Sequence, residues 1–475
     1  MPSPVRVLSR RTVKPPPRPR HRIPLTTWDV SFLSADYIQK GLLYARPPFP
    51  ILHRLEAALA QTLHAYYPVA SRFATDQHRD AAGNVTGCSV SIDCDGQGVE
   101  ILHAVAEGVA VADVVPPDAD VPLLLVHSFF PLDGAINHDA HHLPLFAVQV
   151  TDLDDGVFIG FAYSHALSDG TAFWDLINAW AATARQDHPK QKEPLLQRWS
   201  PDGLPPRPVL LPFPDLTAVV ERLSPPPLRE RMLHFSADSL EALKARAREE
   251  LLAAGDAPGA AALTKFQALS SLVWRCVTRA RRLPPDQLTA CRAAINNRPR
   301  LRPQLPADYF GNSVYAISAE AVRAEELLAR GHGWAAAAVG RAVAAHTDAD
   351  IRARVAAWMA KPVLYNLRFF DPSGVMMGSS PRFDMYGCDF GWGKPLAARS
   401  GRANKSDGKA SLYPARDGGG AIDVELVLTP EHMAMLEQDQ EFWAAVSPDT
   451  PPPPPCPAPA PTPAPTPTAG EENNN

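Results

Sequence analysis

Between Val157 and Tyr163 the chain reads Val-Phe-Ile-Gly-Phe-Ala-Tyr, a short unbroken apolar run rich in β-branched and aromatic residues, which predicts a buried strand. Ser164 to Gly170 breaks the run. From Thr171 onward Phe173, Leu176, Ile177 and Trp180 recur at helical spacing, so a helix is expected to follow. Leu52, Leu55, Leu59 and Leu63 form another helical stripe, and strands are expected around Val85 to Cys94, Val121 to Phe130 and Pro144 to Val150. Residues Gln186 to Pro227 are proline-rich and weakly periodic. A stretch that long without regular structure reads best as an interdomain crossover. Beyond it, helices are expected over Ala237 to Leu252 and Thr264 to Arg282, with alanine-rich helical stretches around Trp334 to Met359. Ile422, Val424, Leu426 and Leu428 alternate with Asp423 and Glu425, the pattern of a half-buried strand. Helices and strands thus mix in both halves, an α/β (mixed α+β) chain, and neither GxGxxG nor GxxxxGK[ST] argues for a nucleotide fold.

Composition narrows the class. A net charge of -5 argues against a nucleic-acid partner. No stretch approaches the 18 consecutive apolar residues of a membrane helix, so no membrane partner is expected. The N-terminus, with Arg6, Arg10, Arg11, Lys14, Arg18 and Arg20, lacks the apolar core of a secretory signal, and its prolines would break the amphipathic helix of a transit peptide. A cytoplasmic protein is the default expectation. Residues 1–22, basic and proline-rich, are expected to be disordered, with the folded part starting at Ile23. Residues 448–475, largely proline, alanine and threonine, are expected to form a disordered tail, with docking to a proline-binding partner as the alternative to an idle extension. The six cysteines are scattered without a CxxC pair, which favours reduced thiols over a disulfide framework. His138, Asp139, His141 and His142 are the one polar cluster with ligand-like residues, and a solvated loop is expected there rather than a metal site.

The break after the apolar run carries the chemistry. His165, Ala166, Leu167, Ser168, Asp169 and Gly170 form an HxxxDG box on a strand-to-helix connection, where rigid scaffolds tend to present reactive groups. Imidazole titrates near neutrality, so its free form can take a proton from a hydroxyl or amine, and His165 is the candidate general base. Asp169, four residues on, either aims its carboxylate at His165 or turns away to hold the loop through an arginine. Spacing does not choose. Far downstream, Asp389, Phe390, Gly391, Trp392, Gly393, Lys394 and Pro395 set a tryptophan between two glycines, which implies a sharp backbone path or a close approach.

The two boxes, intact and in this order, resemble the plant BAHD acyltransferases, and so do Leu55 to Phe73, Thr264 to Arg282 and Asn296 to Val314, giving a resemblance over roughly residues 23 to 447. Ser71, where the family more often has glycine, is a small departure. The resemblance implies two domains of similar topology, residues 23–190 and 228–447 joined by a crossover at 191–227, each a mixed sheet with helices. A tunnel would run between them with His165 at its middle. It implies acyl-coenzyme A as co-substrate, no permanently bound cofactor, a small-molecule acceptor, and a monomer. The acceptor would be a hydroxyl or amine on a plant specialised metabolite, phenolic or hormone. By the same resemblance Asp169 points away from the reaction and pairs with Arg298 or Arg300, while Gly170, Gly391 and Gly393 serve the backbone.

Direct attack on a thioester needs a base, an orientation and a donor for the oxyanion. The Trp392 indole is a candidate donor, with packing as its alternative. Asp389 is a candidate second acid or base, against a carboxylate that bonds its own backbone. Arg402, Lys405 and Lys409 are candidates for the phosphates of coenzyme A, against a solvated loop. Thr27 and Trp28, placed before an expected strand, and Ser380 and Phe383 are candidates for the acceptor side. Two rival readings stay open. One is a carrier-protein-dependent condensation enzyme, although Ser164 stands where such enzymes usually carry a second histidine. The other is a drifted member acting as a lyase on an aromatic conjugate or as a non-catalytic regulator.

Overall fold

The computed structural model describes residues 4–186, 193–203, 206–365 and 371–448. In the first half the strands are β1 (Arg6–Val13), β2 (Arg22–Pro24), β3 (Ile38–Ala45), β4 (Arg72–Arg79), β5 (Val85–Asp93), β6 (Val99–Val105), β7 (Phe146–Asp152) and β8 (Gly156–Tyr163), with helices α1 (Thr27–Val30), α2 (Leu52–Thr62), α3 (Val111–Val114), α4 (Leu123–His127) and α5 (Gly170–Ala184). The second half contributes strands β9 (Arg229–Phe235), β10 (Leu288–Thr289), β11 (Cys291–Asn296), β12 (Val314–Ser318), β13 (Val322–Arg323), β14 (Val375–Ser379), β15 (Ala397–Ser400), β16 (Lys409–Pro414) and β17 (Ile422–Leu428). Its principal helices are α6 (Ala237–Ala253), α7 (Ala257–Ala262), α8 (Lys265–Ala280), α9 (Ala324–Ala329), α10 (Gly331–Ala345) and α11 (Asp348–Ala360).

Two six-stranded sheets organise the chain. The first runs β1-β6-β7-β8-β3-β15 and the second β12-β11-β14-β16-β17-β9. Both are mixed, with β6 and β7 parallel in the first and β14 parallel to both β11 and β16 in the second. Helices cover each sheet. Trp180 of α5 packs edge-on against Phe146 and Phe161 of the first sheet, and Leu269, Leu272, Val273 and Cys276 of α8 join Val424 and Leu426 of β17 in the core of the second. α8 starts on a capping box, Thr264 with Gln267, which satisfies donors the first helical turn would otherwise leave open.

Three sequence expectations are corrected here. Residues 1–22 are not disordered throughout: Arg6 to Val13 pair with β6 as an edge strand, and Arg6, Arg10 and Arg11 bond Glu107, Glu100 and Glu56, so the basic residues find acids that composition alone does not reveal. The strand expected at Val121 to Phe130 is the short helix α4, since a short apolar run has the same appearance in either structure. The division at residue 228 is crossed by β15, which comes from the second half yet pairs with β3 in the first sheet. Among its described residues the crossover holds a short 3-10 turn, Leu216–Ala218, and isolated bridges from Leu195 to Tyr309 and from Leu211 to Cys88. The expected tail, apart from Pro448, lies outside the described residues.

Candidate active site

His165 stands just past the end of β8, in the connection that α5 closes. Its backbone is clamped from both halves. Asn137 accepts the His165 N–H at 2.7 Å and the Ser164 hydroxyl at 3.1 Å, while its own amide donates to the carbonyls of Phe32 and Ala35. From the second half Asn312 donates to the His165 carbonyl at 2.8 Å and to Asp29 Oδ1 at 2.9 Å. The Phe32 ring stacks on the imidazole with centroids 4.1 Å apart, fixing its plane. Residue 165 as a whole is half-buried, and its Nδ1 is buried with no hydrogen-bond partner among the described residues. Burial lowers the His165 pKa, opposed by its own carbonyl, Asp169 and Asn312 and reinforced by the positive charge of Lys409. The free base therefore dominates at neutral pH.

Asp169 is the N-cap of α5 and is saturated with donors. Oδ1 accepts from Thr171 N, Ala172 N and Arg298 Nη2, and Oδ2 accepts from Arg298 Nη1 and Ser313 N. A carboxylate with five donors has no lone pair left for the imidazole, so Asp169 holds the loop rather than activating the base. Of the two arginines raised as its partner, Arg298 makes the pair and Arg300 donates to the carbonyls of Val343 and His346. Gly170 lies against Phe383, whose ring would have to shift to admit a Cβ, since that atom would sit 2.9 Å from it. Asn137, Asn312, Phe32 and Arg198, whose Nη2 donates to the Leu167 carbonyl, were not singled out from sequence. Only Asn312, inside the Asn296 to Val314 segment, carried any signal.

The DFGWG box lies elsewhere. The segment before it runs along α5: Phe383 meets Gly170, the Asp384 carbonyl accepts from Asn178, the Phe390 ring lies edge-on to Trp180, and the Asp389 carbonyl accepts from Arg185, just beyond the helix end. Fifteen helical residues span roughly 22 Å at 1.5 Å each, so Asp389 and Trp392 stand on the order of 20 Å from the HxxxDG end. This corrects both catalytic assignments. The Asp389 carboxylate accepts from Gly391 N at 2.7 Å and Gly393 N at 3.0 Å, closing its own turn, and Trp392 packs between Tyr44, Phe49 and Phe390. Gly391 and Gly393 have φ of +108° and +115°, a region side chains rarely adopt.

The remaining candidates scatter. Thr27 and Trp28 do not precede a strand but open α1, because Thr26 and Asp29 form a capping box. Both are buried, and Trp28 packs with Leu301, Ile351 and Val355 and stacks on Trp199. Ser380 shapes a turn, accepting from Arg382 N, next to Phe383. Lys405 is buried between Glu230 and Glu425, which removes it from any surface that could meet coenzyme A phosphates. Lys409 bonds the Asn404 carbonyl, and burial pushes its ammonium down to about 8. Arg402 pairs with Asp133 at the surface.

The arrangement of two mixed six-stranded sheets with their helices is a known fold: the crystal structure of vinorine synthase superposes with a TM-score of 0.71 at 22% identity over 94% of this chain and 99% of its own. In sequence, an Arabidopsis thaliana protein named as an uncharacterized acetyltransferase is 33% identical, covering 89% of this chain and 94% of its own. BAHD acyltransferase DCR of the same plant is 32% identical over 92% of each. Residues 3–443 match the model of the Transferase family, and the chain belongs to that family, the BAHD acyltransferases.

Proposed function

We propose that this protein transfers an acyl group from an acyl-coenzyme A thioester to a hydroxyl or amine of a small acceptor, with His165 as general base. The observation that carries this reading is the His165 ring itself: half-buried, stacked on Phe32, gripped at its backbone by Asn137 and Asn312, and kept in its basic form by burial. Acyl-coenzyme A is the co-substrate used by BAHD acyltransferases. In the reaction the acceptor O–H or N–H gives its proton to the imidazole as its heavy atom attacks the thioester carbonyl. Collapse of the tetrahedral intermediate breaks the C–S bond, and the imidazolium returns the proton to the departing thiolate. No covalent enzyme intermediate is needed, because a thioester is already activated. Asp169 and Arg298 act as positioning residues that fix the loop on which the base sits. Phe383, against Gly170 at the same end of α5, is the candidate for contact with the acceptor. The test is free-thiol release from a panel of acyl-coenzyme A donors with pooled phenolic, alcohol and amine acceptors. Acceptor-dependent release that His165→Ala lowers about 100-fold or more supports the assignment, and turnover that survives the substitution overturns it.

A further inference from the structure

Away from His165, a cleft opens between the two sheets, lined by Tyr386, Arg399, Arg416, Asp417, His234 and Asp423 among others. Neighbouring residues on a strand face opposite sides. On β15, Ser400 turns to Glu425 at 2.8 Å in the buried lysine and glutamate network, and Arg399 turns into this cleft. Arg399 is only 7% exposed. Its Nη1 donates to the Ala398 carbonyl at 3.0 Å, its Nε is buried with no acceptor, and no carboxylate among the described residues stands within ion-pair reach of it. The other charges of the lining are already matched: Asp417 lies 3.5 Å from Arg416, and Asp423 is bonded by His234 at 2.7 Å. A buried guanidinium without a counter-charge is costly, and buried polar groups are almost always satisfied, so such a site calls for an anion.

We propose that this cleft is a binding site for a small monocarboxylate, held on the Arg399 guanidinium with Arg416 and the Tyr386 hydroxyl at its rim. A single negative charge fits better than a doubly charged phosphate, because two carboxylates share the lining and would repel the second charge. The site is separate from the acyl-transfer centre, since its lining shares no residue with Phe32, Asn137 and Asn312, which hold His165. The test is thermal unfolding and isothermal titration of the full chain with acetate, against chloride at matched ionic strength and against inorganic phosphate. A ligand bound only by the folded state raises the melting temperature saturably. The expected result is a saturable rise with acetate, a smaller one with phosphate, and affinity at least about tenfold weaker in Arg399→Gln, the loss of a charge-assisted contact. Should that variant fail to fold, Arg416→Ala at the cleft mouth is expected to weaken acetate several-fold. Equal responses to acetate, phosphate and chloride, or acetate binding unchanged in the variant measured, overturn the proposal and leave Arg399 to be served by Asp423 across solvent.

Discussion

Arg298 and Asp169, 129 residues apart in the chain, meet in a bidentate pair at 2.7 and 3.0 Å with both side chains buried. The pair ties the loop carrying His165 to the segment after β11, and Arg298 also donates to the carbonyls of Tyr309 and Gly311. Arg298→Ala leaves a buried carboxylate facing an empty site. The expected loss is about 3–5 kcal/mol of stability, read by urea unfolding, with Arg298→Lys rescuing little because an ammonium lacks the planar fork. A loss below about 1 kcal/mol would show that the pair does not hold the loop.

The pH profile of kcat/KM tests the state of the base. Burial lowers the His165 pKa from its ordinary 6.5, so the acidic limb is expected below pH 6.5, with activity lost as protonation removes the free imidazole. A limb centred above 6.5 contradicts the assignment of His165 as the titrating base.

His332 gives a separate dependence of stability on pH. Burial pushes its imidazole from 6.5 down to about 4, in a site where its ring faces Ser271 and the Leu243 carbonyl. The unfolded chain then binds the proton more readily, so this contribution is present above pH 6.5 and is lost as pH falls from 6.5 toward 4, on the order of 3 kcal/mol in all. Urea titrations at pH 7 and pH 4.5 should differ less in His332→Gln than in the wild type; an unchanged difference would assign the effect elsewhere.

Trp392→Phe separates packing from catalysis. With the indole roughly 20 Å from the base, kcat in the folded variant is expected to stay within about threefold of wild type while stability falls by about 1–3 kcal/mol. A hundredfold loss of kcat at unchanged stability would restore the oxyanion role.

Lys405→Met makes the same separation for coenzyme A. Removing the ammonium strands Glu230 and Glu425 in the interior, so a stability loss of about 3 kcal/mol or more is expected. KM for acyl-coenzyme A should change little, and a rise of tenfold or more would place Lys405 on the phosphates.

The strand, the turn and the helix around His165 were legible because each has a distinct period or break, and the base follows from a titratable residue at that junction. What sequence left open was direction. Asp169 had two possible targets four residues from His165, and only the approach of Arg298 and Ser313 N decides between them. DFGWG was visible as a sharp turn, yet its distance from the base depends on how residues 383–390 lie along α5, which no local pattern encodes. Arg402, Lys405 and Lys409 looked alike as charges in one polar stretch, and burial separates them: one at the surface, one locked between two glutamates, one bonded to a main-chain carbonyl.

β15 sets a schedule for the ribosome. β3 has one neighbour, β8, until Ala397 to Ser400 arrive, roughly 350 residues after β3 itself is made. At about 5–20 residues per second, that strand's outer edge stays open for something like 20 to 70 seconds of synthesis, long enough to pair with another nascent chain. The last strand to join the first sheet thus also closes the interval in which the growing chain is most exposed to self-association.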